Sequence, residues 1–303
     1  MHGRLVLTDA LRATIVASAA GEGTTLEAER ACARATLLEA LTRGLRALRA
    51  GECRAWLGPL VPGATMMGGA RVPGTSYELD PVQAAFNLGL LFYSANDEPA
   101  QASYTHNAGD CLGGLLAVAD YQSRQNRATD RPALRLRHLL DALGRARSIQ
   151  CALTRPGTDL PPRQERARIA GIATSAVATA LLGGSRAQLA AAVATCCVDG
   201  GAQGRVALAD ATAHGVRCAL LAMMTADDAL GTPAVASPLA APSAAVADVR
   251  SQPDLAPLLD ALDAAVVAHY PAKQAAVIAS LFTDVAALDA LPVDAFIAAL
   301  VRN

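Results

Sequence analysis

Aromatic side chains are scarce, at 3% of the chain, so any core has to be filled by alanine, leucine and valine. Charged residues are few as well, at 17%, and 26 basic against 27 acidic side chains leave a net charge of -1. That balance gives no electrostatic footprint for nucleic acid or for an anionic membrane surface. Uninterrupted apolar runs of membrane-spanning length are missing: Arg or Asp breaks the Ala/Leu stretches, and the long charge-free run 229–247 is interrupted by prolines. The N-terminus lacks the basic segment, apolar core and cleavage site of a secretory leader, so a cytoplasmic location is expected. Paired-cysteine motifs are missing too. The seven cysteines, at 32, 53, 111, 151, 196, 197 and 218, form no C-x-x-C, and none has a histidine at zinc-finger spacing. They read as reduced thiols packed like small apolar residues, with no bound metal. No G-x-G-x-x-G follows a strand, so neither nucleotide nor flavin is expected, and the chain is read as needing no cofactor.

What is present is apolar and helical. Hydrophobic residues make up 52% of the 303, and the small side chains that dominate them let helices approach closely, which points to an all-α fold. Helical patterns run over 4–20, from a Thr24/Glu27 capping box to Ala50, over 82–91, 112–121, about 132–153, about 166–182, and from a Ser185/Gln188 capping box to about 198. In the second of these, Leu37, Leu38, Leu41, Leu45 and Leu48 form the apolar face, with Arg34, Glu39, Arg43 and Arg46 turned elsewhere. A helix led by Asp210 ends near Met224, and three shorter patterns follow at about 254–268, 272–288 and 292–301. Residues 124–130 read as a polar loop. The expected organisation is a helical domain over 1–230, a Pro/Ala-rich connection over 231–253, and short C-terminal helices over 254–303 packed on that domain. No fixed-period repeat and no alternating strand pattern stands out.

The most legible stretch is 70–87. Pro73-Gly74 marks a turn, Asp80 can cap the amides that follow, and Pro81 occupies the first helical position, where its missing N–H is no loss. Two apolar helices then flank a polar insert bearing Asn96, Asp97, His106, Asn107 and Asp110. A histidine near carboxylates titrates close to neutrality and can move a proton either way, although the same residues also suit a solvated loop. In the glycine-rich loop 199–204 and its flanks, Arg205 could hold a carboxylate bidentately or could be a surface arginine. Asp199 and Asp210 suit helix capping at least as well as catalysis, and His214 lies one turn beyond Asp210.

The wording of several segments resembles the MmgE/PrpD family. They are Leu57 to Gly63, Arg71 to Gly89, Asp110 to Tyr121, Ser148-Ile149-Gln150, Leu181 to Arg186, Val198-Asp199-Gly200 and Asp210-Ala211-Thr212, in the family's order and spread over about residues 24–240. The resemblance implies a large all-helical domain, a smaller α/β domain with a site between them, a homodimer, and removal of water, CO2 or a proton beside a carboxylate without a redox cofactor. It also implies a His-Pro-Ser-Asp-Asn motif where this chain reads Asn107-Ala108-Gly109-Asp110-Cys111, with His106 one residue away. The family's Asp-rich turn is reduced to Asn96-Asp97-Glu98. A second family histidine falls on Arg166, and the family's Arg-Lys pair falls near Gln203-Gly204-Arg205, where no lysine stands. His269-Tyr270-Pro271-Ala272-Lys273 resembles the start of the small domain, which is expected to be absent or reduced to short helices.

Together these readings predict a repurposed PrpD-like, cofactor-independent lyase or isomerase that carries out proton transfer, elimination, isomerisation or cyclisation of a small-molecule substrate. His106, Asp97 and Arg205 are the expected catalytic set. Asn96, Asn107, Asp110, Asp210 and Lys273 are expected around the substrate, Lys273 standing in for the lost lysine. Unmodified dehydration of 2-methylcitrate is not expected, because both histidine positions and the lysine differ. The alternative is a catalytically silent binding or partner subunit.

Overall fold

A computed structural model of the protein describes residues 7–22, 27–51, 53–93, 109–154, 165–197, 206–225 and 253–302. Helix α1 (Asp9–Ala20) is capped by the Thr8 hydroxyl, which accepts from Leu11 N–H, and ends at Gly21, whose φ of 77° is the left-handed conformation that stops helices. Helix α2 (Glu27–Ala50) follows; Thr24 of the expected capping box lies outside the described residues. A two-residue hairpin, β1 (Ala70–Arg71) with β2 (Glu78–Leu79), leads into α3 (Pro81–Phe92). There Asp80 accepts from the amides of Val82 and Gln83, both at 3.0 Å, as its position before Pro81 predicts. Helices α4 (Gly109–Ala128), α5 (Leu136–Leu153), α6 (Glu165–Leu181), α7 (Arg186–Cys196) and α8 (Ala207–Met223) make up the body. Four further helices follow: α9 (Ala256–His269), α10 (Ala272–Leu281), α11 (Val285–Ala290) and α12 (Val293–Leu300). Among the described residues the fold is all-α apart from the small hairpin.

Four expected boundaries move, each for a physical reason. Helix α4 runs on through the polar residues 124–128 because their side chains find partners: Arg124 reaches Gly69 O and Glu78, and Arg127 pairs with Asp294. Pro132 stays outside α5, since 134–136 pairs strand-like with 291–293 through Leu136 N–H to Leu291 O and Val293 N–H to Leu134 O. Asp210 is in the first turn of α8 and does not cap it; the chain enters that helix from Val206. The pattern at 272–288 is two helices, split where Asp284 accepts from the amides of Ala286 and Ala287 and starts a new one.

The core shows how a chain poor in aromatics packs. Helices α3, α4, α6 and α8 pack closely, and glycines stand at their crossings. A Cβ on Gly113 would lie 2.7 Å from Gly89 N, and one on Gly215 would lie 2.6 Å from Gly171 O. Backbone meets backbone at both places, so no larger residue fits without moving a helix. Arg34, expected on the outer face of α2, is instead buried, with its guanidinium forked onto Asp289 of α11 at 3.1 and 2.8 Å and a further contact to Glu27 at 3.1 Å. A buried arginine needs such partners, and this one lies 255 residues away.

The stretch 70–80 locks the C-terminal helices to the body. Arg71 donates to Asp120 of α4 through its backbone amide (2.9 Å), Nε (3.2 Å) and Nη2 (2.6 Å), and to the Asp294 carbonyl of α12 (2.6 Å). Gly74 N–H donates to Leu300 O at 2.7 Å and Arg302 N–H to Thr75 O at 3.0 Å, while His269 Nε2 contacts Gly74 O. Gly74 has φ 77°, the left-handed conformation that favours glycine, and a Cβ there would also push aside the end of the Leu48 side chain, 2.4 Å away. Helix α9 rests on α2, α11 on α5 and α12 on α4. Among the described residues, no helix is long and apolar enough to cross a membrane.

One titration follows from the start of α5. His138 Nδ1 accepts from the Arg135 amide at 2.9 Å, which requires that nitrogen to be unprotonated. Burial, reinforced by Arg137, holds the ring below its ordinary value of 6.5, against the pull of Asp141. A depressed folded-state value means the unfolded chain takes up the proton first. The stability His138 contributes is therefore complete above about pH 6.5 and is lost as pH falls through the folded value. Melting temperatures measured between about pH 7.5 and about pH 5 should fall, and less steeply in His138→Gln than in the wild type.

Candidate functional site

Six helix ends meet on one side of the bundle. The N-termini of α4 and α6 lie side by side, joined by Asp110 and Arg166. The C-terminal part of α3 touches the start of α8, where a Cβ on Gly89 would lie 2.6 Å from Ala209 Cα. Gln150 near the end of α5 reaches Cys111 at the start of α4, and Cys196 at the end of α7 lies against Gly171 of α6. In sequence, 94–108, 155–164 and 198–205 connect these same ends. Three helix N-termini at one place favour negative charge there.

The charged centre of this face is a bidentate ion pair. Arg166 donates from Nε to Asp110 Oδ2 at 2.7 Å and from Nη2 to Oδ1 at 2.9 Å. The Asp110 side chain is 2% exposed and that of Arg166 33%, so the guanidinium forms the surface and the carboxylate its support. Arg166 also stacks over Tyr93, 4.8 Å from the ring centroid, at the C-cap of α3. Asp110 lies in the first turn of its helix, where a carboxylate complements the dipole. Beneath it, the Cys111 thiol is fully buried. Loss of solvent, joined by the Asp110 charge and opposed by Thr174, pushes it up to about 12. A thiol so placed packs as a small apolar group and is no nucleophile near neutral pH.

His106, Asp97, Asn96 and Asn107 lie in 94–108, and Arg205 in 198–205, all outside the described residues. Asp110 and Asp210 are on this face, Asp110 buried and Asp210 exposed in the first turn of α8. Lys273, the chain's one lysine, is not brought to them. It is exposed on α10, which packs against α9 and α12, and its neighbour Gln274 bonds the carbonyls of Ala299 and Val301. The Asp110–Arg166 pair itself was not expected. Its members are 56 residues apart, and nothing local in either segment announces the other. A cavity of about 430 Å³ between α9 and α10, walled by Leu259, Asp260, Asp263, Ile278 and Phe282, belongs to the C-terminal helices and carries none of these groups. Among the described residues, one cluster could hold a metal ion: Cys196, His214 and Cys218.

Comparison with known proteins bears directly on this face. The MmgE/PrpD N-terminal domain matches residues 13–232. The chain is similar to 2-methylcitrate dehydratase of Escherichia coli K12, 36% identical over 200 residues, which is 61% of this chain and 41% of that protein. It is similar to 2-methylcitrate dehydratase of Cupriavidus necator, 37% identical over 204 residues, 63% of this chain and 42% of that protein. It is also similar to alkylcitrate dehydratase phiI of a fungal species, 38% identical over 125 residues, 39% of this chain and 25% of that protein. The chain thus spans about two-fifths of the length of the two bacterial relatives.

Proposed function

The chain belongs to the MmgE/PrpD family, and from that premise we propose that it is a cofactor-independent lyase or isomerase of a small molecule, working at the helix ends around Asp110 and Arg166. The observation that carries this reading is the bidentate pair on a face where three helix N-termini converge. A partly exposed guanidinium held rigid from behind is suited to a carboxylate or to the enolate formed when a proton leaves the carbon beside one. In the proposed reaction His106 takes or returns that proton, Asp97 orients the imidazole, and Arg205 joins Arg166 in holding the developing negative charge. Asn96, Asn107 and Asp210 complete the surroundings of the substrate, and Asp110 acts through Arg166. Lys273 has no part in it.

The substrate is proposed to differ from 2-methylcitrate. The resemblance implies histidines at the positions of Asn107 and Arg166, and a guanidinium locked to a buried carboxylate cannot exchange protons as an imidazole does. The test is to offer 2-methylcitrate and follow loss of water by NMR. No unsaturated product is expected, and its formation at an enzymatic rate would return the chain to ordinary methylcitrate dehydration. The same pair also favours a second reading, a silent partner subunit, because Asp110 is fully engaged in structure. Turnover of any substrate that depends on His106 separates the two.

We also take residues 1–230 as one helical domain with 254–303 folded onto it, and the assembly as a homodimer. The loop after α2 exposes Leu60 (85%) and Met67 (97%), with Trp56 and Val61 beside them, an apolar surface that suits a second copy. Light scattering at micromolar concentration should give twice the chain mass of 30.9 kDa; a stable monomer would remove the dimer.

A further inference from the structure

We propose that Cys196, His214 and Cys218 form a binding site for a single thiophilic d10 metal ion, Zn(II) by its donor set, between α7, α8 and α6. His214 and Cys218 are one turn apart on the same face of α8, and Cys196 is the last residue of α7. Cys218 Sγ lies 3.4 Å from His214 Nε2, and the three donor atoms all fall within 4.8 Å of one another. Tetrahedral zinc with ordinary Zn–S and Zn–N bonds holds such donors about 3.6–3.8 Å apart, so side-chain shifts of an ångström or less close the site. Gly171 of α6 forms the third wall, where a Cβ would stand in ordinary van der Waals contact with Cys196 Sγ at 3.5 Å. Both cysteines are buried and His214 is half-buried, which leaves the ion an entry on the histidine side.

The chemistry is that of a soft site. Two sulfurs and an imidazole suit zinc and disfavour magnesium or calcium, which take oxygen donors. Without metal, the hydrogen bond to Cys218, together with burial, pushes the Cys196 thiol well above its ordinary range. On binding, each thiol gives its proton to solvent as a Zn–S bond forms, with no change of oxidation state. Three protein ligands leave a fourth position for water. Gly171 is five residues beyond Arg166 on α6, so the ion would sit roughly 7–8 Å along the helix axis from the ion pair. There it would fasten α7 to α8 beneath the proposed site and take no part in the reaction. Spacing along the chain hides this set, because Cys196 and His214 are 18 residues apart and neither cysteine belongs to a C-x-x-C pair.

The test is a Co(II) titration of the reduced, metal-free protein, followed by displacement with Zn(II). One cobalt per chain is expected, with thiolate-to-cobalt charge-transfer absorption and tetrahedral visible bands, both abolished by one equivalent of zinc. Cys218→Ser, Cys196→Ser and His214→Gln should each weaken zinc at least about tenfold, the low end of what even an outer-sphere partner contributes. Wild-type protein that takes up cobalt without thiolate absorption, or takes up none, would overturn the site without reliance on any variant. So would unchanged zinc affinity in variants whose helical circular dichroism matches the wild type.

Discussion

Replacing Asp120 by alanine should lower the unfolding free energy by about 3–5 kcal/mol, the range for removing one member of a buried ion pair. The Asp120 side chain is wholly buried and receives three hydrogen bonds from Arg71, one of them from the backbone. Burial alone pushes its carboxyl upward, and Arg71 opposes that shift. Without the carboxylate, a guanidinium only 15% exposed keeps the Asp294 carbonyl and loses its counter-charge. The hairpin turn and α12 are tied through the same arginine, so the loss should spread to the C-terminal helices. Denaturant unfolding of Asp120→Ala, Arg71→Ala and the double variant checks this. The double variant should be less destabilised than the sum of the singles, because it strands no charge. Strict additivity would show that the pair is not coupled.

The largest effect on activity is expected at His106. If the helix-end face carries proton transfer, His106→Ala should reduce turnover of the true substrate by roughly 10²-fold or more, the usual scale for a lost general acid–base. Asp97→Asn should give a smaller loss in the same parameter, since an orienting partner acts through the imidazole. Arg166→Gln should differ in kind. It removes a proposed anion contact and also leaves Asp110, 2% exposed, without the bidentate partner seen here, so stability and substrate affinity should fall together. Steady-state kinetics beside thermal melts for the three variants distinguish these cases. Full activity in His106→Ala and Asp97→Asn alike would show that this loop carries no chemistry.

What could be read from the sequence was local. Asp80 before Pro81, and Ser185 three residues before Gln188, act within one turn, and both caps are present. Scarce aromatics with abundant alanine implied helices in close contact; the glycines at the Gly89–Gly113 and Gly171–Gly215 crossings, where that contact is tightest, were not singled out. What escaped was set by distant partners. Arg34 belonged on the outer face of α2 until Asp289 supplied its counter-charge. Residues 124–128 looked like a loop because they are polar, yet Gly69, Glu78 and Asp294 satisfy them in helical form. Asp284 carried a usable capping signal that the continuing apolar pattern masked. At the site, the resemblance put Arg166 where a histidine was implied, but its pairing with Asp110 depends on two helices starting side by side.

The central claim, proton transfer at this face without a cofactor, is tested most directly by solvent exchange. The purified chain would be incubated in D2O with a panel of small carboxylic acids and followed by NMR for deuterium at the carbon beside the carboxylate. Incorporation into at least one panel member is expected from the wild-type protein, and its loss is expected in His106→Ala. Exchange that persists unchanged in His106→Ala and Arg166→Gln, or no exchange with any acid, would contradict the account.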